Sequence, residues 1–176
     1  QPERNMPDMD TLMSMTDNLI NGHQRATQIP GYSVGLSPRH WENLLRFRQR
    51  LSSIRELAQS LTKGSLLGSN TPFSRYRDQL TNFESETLPD NYELQQEMNL
   101  LQSTHSTVIE RARTIQKQYS EDWLGGWGGR ISGRDVLTPW ETFLSRLVRG
   151  LDNERARSRA QSLLNEARSQ LSEWSP

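Results

Sequence analysis

The sequence predicts an all-α protein, built as an antiparallel helical bundle of three long and two shorter helices in one domain over residues 1–176. Apolar residues recur at helical spacing, and no segment alternates in the way that half-buried strands do. The apolar fraction of 32% and the mean hydropathy of −0.83 suit amphipathic helices, each of which buries only one stripe. A chain of 176 residues has the size of one ordinary domain.

The helix starts are predicted from hydroxyl residues that directly precede a proline. Such a hydroxyl can cap the orphan N–H groups of a helix, and proline fits the first helical position because its missing N–H is not needed there. Glu141 also stands where it would complete a capping box with Thr138. Three such pairs precede apolar-periodic runs, namely Ser37-Pro38, Thr71-Pro72 and Thr138-Pro139.

Five helical segments follow from these starts and from the apolar spacing. We predict helices at about 8–26, 38–63, 72–83, 94–119 and 139–174, with a bend or break in the last one near Gly150. The first helix carries an apolar side made of Leu12, Met15, Leu19 and Ile20. Residues 1–8 are predicted to be disordered, and residues 121–137 to form a loop rich in glycine and tryptophan.

The fourth segment has the most regular pattern in the chain. Its apolar positions alternate in steps of four and three residues, which is typical of a left-handed helix seam. Such a seam can pair within the bundle or with a second copy, so self-association is an alternative. His105 lies in this seam, where we expect a core or edge residue and not a ligand or base. The seam consists of Leu94, Met98, Leu101, His105, Val108, Ala112, Ile115 and Tyr119.

Charge and cysteine content narrow the classes of function. The 21 basic and 21 acidic residues give zero net charge, which disfavours a nucleic-acid partner because such proteins usually have a basic excess. The chain contains no cysteine, which excludes disulfides, thiolate nucleophiles and cysteine-based metal sites. We find no metal-ligand spacing and no nucleophile motif, and therefore predict no metal, no cofactor and no catalytic residue. An enzyme site assembled from distant helices stays an alternative.

Basic residues cluster on the second helix, and acidic residues cluster at the entry to the fourth. We expect these two stretches to face one another, and we expect arginine pairs four residues apart, Arg46/Arg50 and Arg155/Arg159, to be solvated faces and not phosphate sites. The basic cluster comprises Arg39, Arg46, Arg48, Arg50 and Arg55, and the acidic one Glu84, Glu86, Asp90, Glu93 and Glu97.

The segment between the fourth and last helices is the candidate binding site. It combines Trp123 and Trp127 with Arg130, Arg134 and several glycines, and Trp and Arg are enriched where binding energy concentrates in interfaces. The tryptophans could instead cap the end of the bundle or contact a membrane interface. We predict that these four residues bind a partner.

These patterns favour a non-enzymatic helical protein–protein interaction module, whose partner is another protein. Only two of the 21 basic residues are lysines, Lys63 and Lys117, and lysine is the target of ubiquitination. In composition the chain resembles bacterial effectors, which implies secretion into a host cytoplasm; lineage bias is the competing explanation. A membrane-surface-binding protein and a self-assembling structural protein, including a viral one, are further alternatives. No signal peptide or transmembrane segment is recognisable, so the location is left open.

Overall fold

A computed structural model describes residues 8–26, 38–62, 64, 70–83, 94–121 and 130–175. These residues form six helices and no strand, and 87% of them are helical, which confirms the all-α prediction. No helix in the described part of the chain is long and apolar enough to cross a membrane. The helices are α1 (Met9–Ala26), α2 (Pro38–Ser60), α3 (Pro72–Thr81), α4 (Gln95–Glu121), α5 (Gly133–Gly150) and α6 (Glu154–Glu173).

The last predicted helix is in fact two helices, because residues 151–153 are not helical and separate α5 from α6. The buried Leu151 has an extended backbone, and its N–H donates to Leu147 O at 3.0 Å, which ends α5. Asn153 then caps α6 by accepting a hydrogen bond from Ala156 N at 2.9 Å. The predicted bend near Gly150 is therefore a complete break with its own capping residue.

Helix α5 does not begin at Pro139, and the predicted capping box of Thr138 and Glu141 is wrong. Ser132 is the N-cap: its hydroxyl accepts from Asp135 N, and the Asp135 carboxylate accepts from Ser132 N at 2.8 Å. Proline inside a helix removes one backbone hydrogen bond. The additional turns bury Val136 and Leu137 completely, and this burial offsets the missing bond. The loop predicted over 121–137 is correspondingly shorter.

The other helix starts follow the prediction more closely. Thr71 caps α3 in a reciprocal capping box with Ser74, and Pro72 is the first helical residue. Pro38 begins α2, whereas Ser37 lies outside the described residues. Asp8 accepts a hydrogen bond from Thr11 N at 2.8 Å at the start of α1, and this hydrogen bond lowers the pKa of the Asp8 carboxyl.

Helix directions in the bundle are mixed, so the predicted antiparallel arrangement does not hold throughout. Helices α4 and α5 run antiparallel, since Gln116 contacts Gly133 and His105 contacts Trp140. Helices α2 and α4 run parallel, because partners rise together along both. The pairs that show this are Arg48–Glu97, Arg55–Ser103 and Leu61–Arg111. Helix α3 makes the parallel arrangement possible by returning the chain between them.

A single apolar core runs between α2, α3, α4, α5 and α6. The predicted seam of α4 is buried from Leu94 to Ile115, but Tyr119, its last member, is 43% exposed. The Tyr76 hydroxyl donates to Val136 O at 2.6 Å and fixes α3 against α5; burial raises the pKa of this hydroxyl. Among residues 8–21, no apolar side chain of α1 joins this core.

Candidate functional site

The predicted binding segment is anchored where α4 ends, α5 begins and α6 ends, and we call this place the loop end. Its described residues are Tyr119, Glu121, Arg130, Gly133, Arg134, Trp174 and Ser175. Trp123 and Trp127, two of the four predicted binding residues, lie outside the described residues. Arg130 is half-buried directly before the fully buried Ile131, and Arg134 is exposed in the first turn of α5.

Gly133 allows the start of α5 to pack closely against α4 and α6. A Cβ atom at this position would lie 2.6 Å from Ala112 O and from Gln116 Cβ, and 2.9 Å from the Trp174 ring. The Gly133 N–H donates to Gln116 Oε1 at 2.8 Å. Since no side chain fits here, the three helix ends are held together tightly, and the loop end has a rigid base.

Two side chains at the loop end are candidates for binding: Arg134, which the sequence predicted, and Tyr119, which the structure shows to be exposed. Arg134 donates to the Ser175 hydroxyl at 3.0 Å, which connects the start of α5 to the end of α6. Tyr119 continues the α4 seam beyond Ile115 and stays 43% exposed. An exposed aromatic ring and an arginine on a rigid scaffold are the residue types that anchor protein interfaces.

His105 joins three helices through hydrogen bonds of its two ring nitrogens. The Trp140 indole N–H donates to Nδ1 at 2.8 Å, so the proton of the neutral ring is assigned to Nε2. Nε2 then donates to Glu166 Oε1 at 3.0 Å. Burial lowers the pKa of His105, and the hydrogen bond to Glu166 opposes this shift. The ring is fully buried, as expected for a core residue and not for a base that meets substrate.

Of the predicted meeting between the basic and acidic clusters, the described residues show one pair, Arg48 with Glu97, and it is buried. Arg48 Nε donates to Glu97 Oε2 at 2.6 Å, and Nη2 contacts the same oxygen. Nη2 also donates to Gln96 Oε1 at 3.0 Å, and Nη1 donates to the Thr16 hydroxyl at 2.6 Å. The Arg48 and Glu97 side chains are 8% and 1% exposed. The burial of this pair was not predicted, because burial of single charged residues leaves no sign in the apolar spacing. The other four acidic residues lie outside the described residues.

The arginine pairs have different surroundings. Arg46 pairs with Glu42 at 3.7 Å on an exposed helix face, as predicted. Arg50 is half-buried instead: Nη1 donates to Gln79 O at 2.7 Å, and the guanidinium lies 5.5 Å from the Phe83 ring centroid. Arg155 and Arg159 line a shallow cleft of about 240 Å³ between the starts of α4 and α6, where Arg159 donates to Asn99 Oδ1 at 3.1 Å.

Helix α1 presents a surface that the sequence analysis missed. Met15 and Leu19, both on the predicted apolar side, are 52% and 54% exposed. They stand four residues apart and therefore on one face of the helix. The sequence showed that the first helix has an apolar side, but it could not show that α2 covers only part of that side.

Neither metal-binding residues nor similarity to known proteins indicates a function for the described part of the chain. Within the described ranges, no three residues among His, Cys, Asp and Glu come close enough to hold a metal ion. No protein-family model, curated protein or solved structure matches this chain significantly.

Proposed function

We propose that this chain is a helical protein–protein interaction module that binds another protein through the loop end. The observation that carries the proposal is the exposed ring of Tyr119, which extends the α4 seam past the core at the place where three helix ends converge. The proposal includes the four residues predicted from the sequence, Trp123, Trp127, Arg130 and Arg134. It is confined to protein binding and does not extend to the host-cell location that the arginine bias predicts.

The rigidity of the base supports this assignment. Binding orders the side chains of an interface, and this entropy cost is smaller when the surface is held in place beforehand. Gly133 seats α5 against α4 with no room for a side chain, and Arg134 is oriented by Ser175. Tyr119 and Arg134 are thus presented by three packed helices, and a partner would not have to order this part of the surface.

The test is an affinity capture from eukaryotic lysate followed by titration of the captured protein in purified form. Wild type is compared with Tyr119→Ala, Arg134→Ala and Trp127→Ala. Central anchor residues of interfaces typically contribute more than about 1.4 kcal/mol, so each loss should weaken binding by about tenfold or more. Far-UV circular dichroism checks that every variant keeps its helices.

A matched control separates the loop end from the rest of the surface. Met15→Ala also removes an exposed apolar side chain, but from α1. We expect this variant to bind the partner as wild type does. If the three loop-end variants bind normally, the loop end is only a cap on the bundle and the proposal is wrong.

Membrane-surface binding is a second candidate, which the exposure of Met15 and Leu19 favours. Interfacial helices insert an apolar face between lipid headgroups, and anionic lipid attracts basic helices. Asp8, Asp10 and Asp17 stand on or beside α1, and their charges oppose anionic lipid. Co-sedimentation with neutral and with anionic vesicles distinguishes this candidate, since vesicle binding that Met15→Asp abolishes would support it.

A further inference from the structure

Helix α1 is attached to the bundle differently from the other five helices. Of its side chains described over residues 8–21, only Thr16 is buried. Its six apolar side chains in that range are half-buried or exposed, and none packs into the core. They are Met9, Leu12, Met13, Met15, Leu19 and Ile20. Segments that bury little apolar surface open with a free energy well below that of global unfolding.

The polar contact that holds α1 can be broken without leaving an unpaired buried group. Arg48 donates Nη1 to the Thr16 hydroxyl, but its charge is neutralised by Glu97 and it also bonds Gln96, both on α4. The Thr16 hydroxyl in turn donates to Leu12 O at 2.9 Å within its own helix. Removing α1 therefore breaks this hydrogen bond and leaves the ion pair of α2 and α4 complete.

The contact between α4 and α5 lacks this property. Separating these two helices would break the hydrogen bond from Trp140 to His105 Nδ1 and expose both side chains, which are now fully buried, to water. The free-energy cost rises with the apolar area that is exposed. The difference divides the protein into a cooperative bundle of α2–α6 and one lightly attached helix.

We propose that α1 is a detachable helix, which undocks from the folded α2–α6 bundle in an equilibrium separate from global unfolding. Undocking exposes the half-buried surfaces of Met13 and Ile20 and adds them to the exposed pair Met15 and Leu19. The docked state thus limits how much of the apolar face of α1 is accessible. This inference concerns α1 alone and stands independently of the loop end.

The absence of cysteine allows a direct test by thiol labelling of single-cysteine variants. Thr16→Cys reports undocking of α1, and Thr104→Cys is the matched control in the core. Both threonines are buried, and both hydroxyls donate to the carbonyl four residues earlier, Leu12 O and Leu100 O. Met15→Cys gives the rate for an accessible thiol on the same helix.

The expected result is a clear separation of the two buried positions. We expect the thiol of Thr16→Cys to be labelled about 10- to 1000-fold more slowly than that of Met15→Cys, as for a local opening. The thiol of Thr104→Cys should be protected more strongly still, by a further factor of about ten or more, because its exposure needs global unfolding. Low concentrations of urea should accelerate labelling of Thr104→Cys but hardly that of Thr16→Cys, since undocking exposes little surface.

Amide hydrogen exchange of the unsubstituted chain completes the test, because Thr16→Cys itself removes the bond to Arg48. The amides of α1 should exchange faster than those of α4, with almost no dependence on urea. If α1 and α4 show equal protection and equal urea dependence, α1 belongs to the cooperative bundle and the proposal is overturned. Exchange of α1 at the rate of an unprotected peptide would also overturn it, since no docked state would then exist.

Discussion

Removal of Arg48 should be among the most destabilising single substitutions in this protein. In Arg48→Met the carboxylate of Glu97, 1% exposed, keeps its burial but loses its cation. Breaking a buried ion pair on one side typically costs about 3–5 kcal/mol. For a domain of this size each kcal/mol lowers Tm by about 2–4 °C, so a loss of about 4 kcal/mol corresponds to about 8–16 °C.

The pair should contribute far less when both charges are removed together. Well-packed apolar replacements of buried ion pairs are often neutral or stabilising. We therefore expect Arg48→Met/Glu97→Met to unfold within about 1 kcal/mol of wild type, so that the second substitution restores most of what the first removed. Arg46→Met, which breaks the exposed pair with Glu42, is the control and should cost less than about 1 kcal/mol.

Urea denaturation followed by far-UV circular dichroism measures all four proteins under one condition. If Arg48→Met costs no more than Arg46→Met, Glu97 does not need its cation and the expected loss is wrong. If the double variant is as unstable as Arg48→Met, the loss comes from packing of the arginine stem and not from the unpaired charge.

Three further predictions concern other parts of the bundle. Because folding lowers the pKa of His105, the unfolded chain binds a proton at a higher pH than the folded protein does. The free energy of unfolding should therefore fall by up to about 1.4 kcal/mol per pH unit below about pH 6.5, until the lower folded pKa is reached. Urea titration at several pH values should show this loss in wild type and not in His105→Gln. Gly133→Ala should lower the free energy of unfolding by about 1–3 kcal/mol through overpacking. Gly64→Ala, whose added Cβ meets nothing within 4 Å, should change it little, and equal effects would contradict the close packing of α5 at Gly133. Ser132→Ala should cost about 1 kcal/mol as the loss of an N-cap, and Thr138→Ala should be nearly neutral in thermal melts; the reverse order would restore Thr138 as the helix start.

The fold class could be predicted because apolar spacing and capping chemistry are local properties. Thr71 and Pro72 form the start of α3 as predicted, and Ser74, a close neighbour in the chain, completes the capping box. The start of α5 could not be predicted in the same way. Thr138-Pro139 has the better local signal, yet burial of Val136 and Leu137 against other helices extends α5 to Ser132, and such tertiary burial outweighs local preference.

The candidate site could be predicted only in part. The placement of Arg134 at the junction of α5 and α6 depends on the close packing at Gly133 and on Ser175, which lies 41 residues later in the chain. The partial exposure of Tyr119 was hidden by its regular seam position, because spacing shows which residues share a face but not where the core ends. The exposure of Met15 and Leu19 on the apolar side of α1 was hidden for the same reason.

The parallel course of α2 and α4 has a consequence for the order in which the chain can fold. The contacts among α4, α5 and α6 include pairs close in sequence: Gln116 and Gly133 are 17 residues apart, and His105 and Trp140 are 35 apart. Arg48 and Glu97 are 49 apart, and Leu51 and Thr104 are 53 apart. Closing longer loops costs more entropy before any contact forms. Helices α4 and α5 should therefore pair first, with α2 docking later onto a surface that α4 already presents.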